Sequence, residues 1–171
     1  MNSEIWDLYD KMGRKSEFKK DRYSDEPIPD GLYHMVCDIL VIHEDGTYLL
    51  TKRHDSKEVY PGYWEASAGG SAQEGESPLK CAVRELKEET GIDLDADKFE
   101  LVGHSFSEKS HSTFYSYIVH VKCKKDSIVL QEGETVAYKW VDKKGFLEYV
   151  DSDEAIKSHN LRYVDYIESI R

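Results

Sequence analysis

Gly70-Ser-Ala-Gln-Glu-Gly-Glu76-Ser-Pro-Leu-Lys-Cys-Ala-Val-Arg84-Glu85-Leu86-Lys-Glu88-Glu89-Thr-Gly91-Ile92 is the stretch that decides how this chain is read. It is a glycine-rich turn followed by a short helix with marked ends. Ser77 is placed to cap the helix, and Pro78 suits the first helical position, where its missing N–H costs nothing. Gly91 supplies the left-handed residue that closes a helix. Between these stops Leu79, Val83, Leu86 and Thr90 recur at spacings of four, three and four. At about 3.6 residues per turn they predict one buried stripe. Glu85, Glu88 and Glu89 stand at i, i+3 and i+4 and are expected together on the opposite side, within an arc of about 100°.

Three carboxylates this close repel one another, at a cost to an isolated helix of roughly 0.2–0.5 kcal/mol per pair. A hard divalent cation removes that repulsion. Mg²⁺ takes oxygen ligands, keeps several waters and is commonly shared between carboxylates and a substrate's phosphates. Arg84 and Lys87 offer another way to offset the charge, so a solvated acidic face is the competing reading of the helix alone.

The whole stretch resembles the Nudix box, G-x5-E-x7-R-E-U-x-E-E-x-G-U with U apolar. Gly70, Glu76, Arg84, Glu85, Leu86, Glu88, Glu89, Gly91 and Ile92 fill its nine fixed positions without a departure. The resemblance implies a Nudix hydrolase with an α/β/α sandwich fold, a mixed β-sheet flanked by helices. It implies that Glu85, Glu88 and Glu89 hold Mg²⁺, or alternatively Mn²⁺, that the Gly70 carbonyl joins them, and that Arg84 and Glu76 brace loop and helix.

Bulk properties set the surroundings of such a site. The 171 residues, 39% hydrophobic, suit one domain with a single core. The formal net charge of −11 argues against nonspecific binding to nucleic acid or to acidic membranes. An acidic protein acting on anions needs local cations to reverse its field, and bound Mg²⁺ is the obvious source. Cys37, Cys81 and Cys123 form no C-x-x-C pair, which suggests neither a disulfide framework nor a zinc site and fits a reducing cytoplasm. The first residues carry no basic flank or apolar run of a signal peptide, and no segment approaches the roughly 20 apolar residues of a membrane span.

In chain order, residues 1–30 are expected to form an extension and connector, and residues 31–171 the Nudix hydrolase domain that the resemblance implies. A small hairpin or an edge strand, with a short helix as the alternative, is expected before Tyr23, anchored by Trp6 and Leu8. This extra segment is the ground for expecting a homodimer. Tyr33 to His43 and Tyr48 to Arg53 read as paired strands across Asp45-Gly46. Phe99 to Ser107, Phe114 to Cys123 and Val136 to Val141 read as further strands. Lys143 to Val150 and Ala155 to Ile170 read as helices, the second with Ile156, Leu161, Val164 and Ile167 on its inner side.

Around the box, Arg53 and Lys57 place a guanidinium and an ammonium four residues apart, suited to clamp a diphosphate or simply to close a hairpin. The Arg-x-x-x-Lys…Pro61-Gly62-x-Trp64 pattern is similar to the isopentenyl-diphosphate isomerase branch of the superfamily, where both cations bind diphosphate. That branch carries a catalytic cysteine and a metal-binding histidine where this chain has Gly69 and Ser71. His34 matches one of its metal histidines, but a strand histidine satisfied by hydrogen bonds is the plainer reading, and isomerase chemistry is rejected. Nudix proteins often bring one more carboxylate from the region of Glu132 and Glu134. Glu134 is the better placed for this, with a solvated loop acid as the alternative.

The resulting expectation is Mg²⁺-dependent hydrolysis of a diphosphate bond in a nucleoside-diphosphate-linked or related small molecule. Glu85, Glu88, Glu89 and Gly70 hold the metal, Arg53 and Lys57 bind the phosphates, and Glu85, Glu89 and Glu134 serve catalysis. A catalytically idle nucleotide sensor is the rival. For the substrate, the proline typical of ADP-ribose pyrophosphatases and the tyrosine of diadenosine-polyphosphate hydrolases are both missing. Tyr60, Tyr115 and Tyr117 are candidates to stack on a base or merely to pack.

Overall fold

The structure, a computed structural model, describes residues 3–171. The central element is β3 (Tyr33–His43), an eleven-residue strand whose apolar and β-branched run is buried almost throughout. One of its edges takes β8 (Ser112–Val121) in parallel, from His34 opposite Ser112 to His43 opposite Val121. Its other edge is shared by three antiparallel neighbours: β1 (Ile5–Tyr9) at its start, β6 (Ala68–Ser71) at its middle and β4 (Tyr48–Arg53) at its end. β2 (Lys15–Asp21) extends β1, β5 (Trp64–Ala66) and β9 (Thr135–Val141) flank β4, and β7 (Phe99–Ser107) closes the far side against β8. The sheet is therefore mixed.

Strand alternation sorts β3 between two cores. Met35, Cys37, Ile39 and Val41 face the helix α1 (Pro78–Thr90), together with Leu49, Cys81, Ala82 and Leu86. Leu40 and Ile42 face the opposite side, where α2 (Lys143–Asp151) and the C-terminal helices contribute Phe146, Tyr149, Val150, Tyr163 and Ile167. Helices on both faces make the expected α/β/α sandwich. Among the described residues, no helix is long and apolar enough to cross a membrane.

The caps of α1 follow the sequence. Ser77 Oγ accepts from the Lys80 amide at 3.3 Å, Pro78 opens the helix, and Gly91 ends it with φ 74°. The predicted stripe is corrected. The buried positions are Cys81, Ala82, Glu85, Leu86, Glu89 and Thr90, while Leu79 and Val83 are only half-buried. Glu85 and Glu89 thus lie on the inward side of the helix, and only Glu88 of the three acids is exposed. The helix is rolled so that its acidic flank meets the glycine strand β6, a contact that periodicity alone does not encode.

The C-terminal segment is also corrected. Ala155 to Ile170 is not one helix: α3 (Lys157–Asn160) runs into a 3₁₀ turn at Leu161–Tyr163 and then α4 (Val164–Ile170). Tyr163, seven residues after Ile156 and four before Ile167, shares their face at helical spacing, and Leu161 does not. Ile156 and Ile167 are buried as expected, but Leu161 is 69% exposed and Val164 is 44% exposed, with Tyr163 buried in their place. Strand bounds shift slightly elsewhere, β8 starting and ending two residues before the expected Phe114 to Cys123.

The N-terminal segment is a hairpin of β1 and β2, and it is tied to the helix-bearing loop. Leu8 is fully buried, the Trp6 ring stacks on His34 at 4.1 Å, and Asp7 accepts from the Gly75 amide at 2.8 Å while pairing with Lys15 at 2.7 Å. The Glu74 amide donates to the Ile5 carbonyl at 2.8 Å. The hairpin therefore grips the loop that leads into α1.

Gly91→Ala tests the closing turn, because the left-handed φ is strained for any side chain and an added Cβ meets Val129 at 3.1 Å. The variant should lose about 1–2 kcal/mol, the cost of a left-handed residue with a Cβ, seen as a lower denaturant midpoint at unchanged m-value.

Candidate active site

The acidic flank of α1 rests on Gly69 and Gly70 of β6. An added Cβ at Gly70 would come within 2.3 Å of Glu85 Oε1, and one at Gly69 within 2.6 Å of the Cys37 carbonyl. Gly70 lets the Glu85 carboxylate approach bare backbone and Gly69 lets the β3 backbone do so, which is the physical need for each. Gly69 N–H donates to Glu89 Oε2 at 2.9 Å.

Arg84 ties this arrangement together. It donates to Glu76 through Nε (2.8 Å) and Nη2 (2.9 Å), to the Ser71 carbonyl at 3.1 Å, and through Nη1 to Glu85 (2.6 Å) and Glu88 (3.0 Å). Burial would raise the Glu76 pKa, but the Arg84 hydrogen bond and the Gln73 amide outweigh it and hold Glu76 below its usual value. One guanidinium thus links the loop, the glycine strand and two of the three helix acids.

Glu85 and Glu89 titrate the other way. Burial pushes the Glu85 carboxyl up, and Arg84 offsets only part of it. Glu89 lies well above its usual value, first through burial and then through the charges of Glu65 and Glu85. Glu65, on β5, is itself raised by burial despite its pairing with Arg53. Buried acids that raise one another are short of positive charge.

These groups line a cleft of about 420 Å³. Arg53 Nη1 contacts both Glu65 oxygens at 3.1 Å, Lys57 is ion-paired with Glu134, and Arg162 Nη1 holds both Asp38 oxygens at 2.7 Å. His159 Nδ1 lies 3.5 Å from Glu65, and burial pushes its pKa down to about 4, so the ring is neutral near pH 7. Seven carboxylates face five fixed cations along this wall, so the cleft is acidic overall.

The cleft thus contains all the residues singled out from sequence for metal, phosphate and catalysis: Gly70, Glu85, Glu88 and Glu89 on one wall, Arg53, Lys57 and Glu134 on another. Among the described residues no three acidic, histidine or cysteine side chains are yet drawn into a ready-made coordination set, since Arg84 lies between Glu85 and Glu88. The donor chemistry nevertheless fits a hard divalent cation: carboxylate oxygens beside a close backbone, in a pocket with excess negative charge. His34 lies outside the cleft lining, bonded to Ser112 at 2.8 Å and stacked under Trp6.

Residues 32–159 match the family model of the NUDIX domain. The chain belongs to the Nudix hydrolase family. This Nudix hydrolase is 31% identical over 142 residues to an uncharacterized Nudix hydrolase of Listeria innocua, covering 82% of this chain and 81% of that protein. Two further curated relatives are matched over 53% and 21% of their own length. Its fold is similar to the crystal structure of a Deinococcus radiodurans protein, with TM-score 0.70, 19% identity and 98% of both chains covered. It is also similar to a bifunctional NMN adenylyltransferase/ADP-ribose pyrophosphatase of Francisella tularensis crystallised with AMP and a manganese ion. There the TM-score is 0.62 at 17% identity, over 81% of this chain and 42% of that one.

Among the lining residues that escaped the sequence reading are Asp38, Glu65, His159 and Arg162, with Glu4, Arg22 and Tyr23 at the mouth. Asp38 had a signal, a lone charge inside the apolar run of β3. Arg162 and His159 were hidden in what read as one amphipathic helix, and the 3₁₀ turn is what brings Arg162 onto Asp38 and over the Phe114 ring at 3.5 Å. Glu65 carries no local signal beyond its place after Trp64.

Gly70→Ala should leave the fold intact, since only the end of a flexible side chain must move, yet it displaces the Glu85 carboxylate. Turnover should fall by about 10²-fold, the scale expected for misplacing a catalytic group by an ångström, with near-normal thermal unfolding as the control. Glu89→Gln addresses the charge. A carboxyl whose folded pKa is raised costs nothing below its unfolded pKa and progressively destabilises as pH rises to the folded one. In EDTA at pH 7 the variant should therefore unfold at higher temperature than the unmodified chain, and the gap should close as pH falls toward about 4.3, the ordinary glutamate value.

Proposed function

We propose that this chain hydrolyses a diphosphate bond in a nucleoside-diphosphate-linked or related compound, with Mg²⁺ as its cation and Mn²⁺ as a substitute. The observation that carries the reading is the pair of buried acids, Glu85 and Glu89, set against the Gly69–Gly70 backbone in the same cleft as Arg53 and Lys57. Glu85, Glu88, Glu89 and the Gly70 carbonyl would hold the cation. When bound, it would neutralise the diphosphate and lower the pKa of a water molecule. The manganese ion and AMP in the Francisella tularensis structure, a fold neighbour, support this chemistry.

Arg53 and Lys57 bind the phosphates by exchanging part of their pairing with Glu65 and Glu134 for phosphate oxygens. The same exchange frees Glu134 to accept a proton from the attacking water, a role it shares as a candidate with Glu85 and Glu89. Their cations also offset charge that develops on the leaving phosphate. Arg84, held to Glu76, positions Glu85 and Glu88.

A panel of dinucleotides, nucleotide sugars and nucleoside di- and triphosphates with Mg²⁺ tests this. Nucleoside monophosphate or phosphate release should appear, stop with EDTA, return with Mg²⁺ or Mn²⁺, and fall by about 10²–10³-fold in kcat for Glu89→Gln. Binding of these compounds without any release would instead identify a nucleotide sensor.

A further inference from the structure

The catalytic cleft does not end at Lys57 and Glu134. It opens into a second depression of about 720 Å³, within the range of sites for small organic ligands. Arg22, Tyr23, Arg53, Lys57 and Glu134 line both. One wall of the outer groove is the N-terminal hairpin and the turn that follows it, and the other is the segment 56–59.

Tyr23 stands at the junction. Its backbone is pinned, with its amide on Asp21 Oδ1 at 3.0 Å, the Arg22 amide on the Glu4 carbonyl at 2.9 Å and the Ser24 amide on Asp21 at 3.1 Å. The Arg22 guanidinium, anchored on Glu4 at 3.0 Å, lies 5.8 Å from the Tyr23 ring centroid. The ring itself stays open, the residue being 60% exposed. The tyrosines that the sequence suggested for stacking are elsewhere. Tyr117 is buried against Phe99, Tyr115 stacks on His104, and Tyr60 packs edge-on to Tyr63 outside both depressions.

We propose that this outer groove receives the aromatic base of a nucleotide substrate, stacked on Tyr23, while the phosphates lie toward Arg53 and Lys57. The proposal rests on the hydrolase reading for the phosphate end of the ligand and adds the identity of the group beyond it. The rim chemistry selects a base over a hydrocarbon chain. Asp25, Glu58 and Ser56 would lose water without partners beside an isoprenoid tail, whereas they pair with the polar edge of a base. A tyrosine on a fixed backbone has only two side-chain torsions to order on stacking, and each base–aromatic stack is worth about 10-fold in affinity.

Calorimetric titration of the full chain in Mg²⁺ with AMP and with ribose 5-phosphate isolates the base, since the two share sugar and phosphate. AMP should bind about 10-fold more tightly or better. Tyr23→Ala should erase that advantage without changing ribose 5-phosphate binding, and Tyr23→Phe should keep it. Equal binding of the two ligands, no detectable AMP complex, or an advantage that survives Tyr23→Ala overturns the proposal. Because the readout is binding, the two readings fail separately. Diphosphate cleavage without a base effect sinks the groove alone, and a base effect without cleavage sinks only the hydrolase reading.

Discussion

The close approach of the Glu85 carboxylate to the Gly70 backbone is the constraint on which the rest of the site depends. It requires a strand without side chains at that point, a helix rolled until its acidic flank faces inward, and a positive group to hold the acids in register. Arg84 supplies the last of these, and Glu76 keeps Arg84 in place from the loop. The arrangement is costly in the absence of a cation, because burial and mutual repulsion push Glu85, Glu89 and Glu65 toward protonation. A protein that stores this much buried acid at one place sacrifices stability there, as functional sites commonly do.

The second feature is that the cations facing the acids are already partnered. Arg53 is held by Glu65, Lys57 by Glu134, Arg162 by Asp38 and Arg22 by Glu4. Such pairs position long side chains without committing all their donors, and an anionic ligand can compete for them. Three of these pairs also join different segments: β4 to β5, the 54–63 connection to the segment before β9, and the C-terminal 3₁₀ turn to β3. The last of these lies at the 3₁₀ turn between α3 and α4.

The N-terminal hairpin belongs to this design physically. Asp7 and Ile5 hold the loop that enters α1, and the turn after β2 delivers Arg22 and Tyr23 to the mouth of the cleft. Its pairing with β3 makes it part of the same sheet.

Much of the molecule was legible from residues alone where the deciding physics is local. The caps Ser77, Pro78 and Gly91, the hairpin turn at Asp45-Gly46, and the strands β3, β4 and β7 follow from backbone preference and periodicity, and the box from Gly70 to Ile92 named the acids, the bracing Arg84 and the family. What the sequence could not say is which way those acids face. The same spacing of Glu85, Glu88 and Glu89 suits a solvated helix surface, and only the roll of α1 against β6 buries two of them and exposes the third. Asp38, Glu65, His159 and Arg162 reached the cleft from three separated segments, and Tyr23 rather than the expected tyrosines reached its mouth. Those placements arise from contacts between residues up to 124 positions apart, as for Asp38 and Arg162, and no local preference encodes a contact of that range.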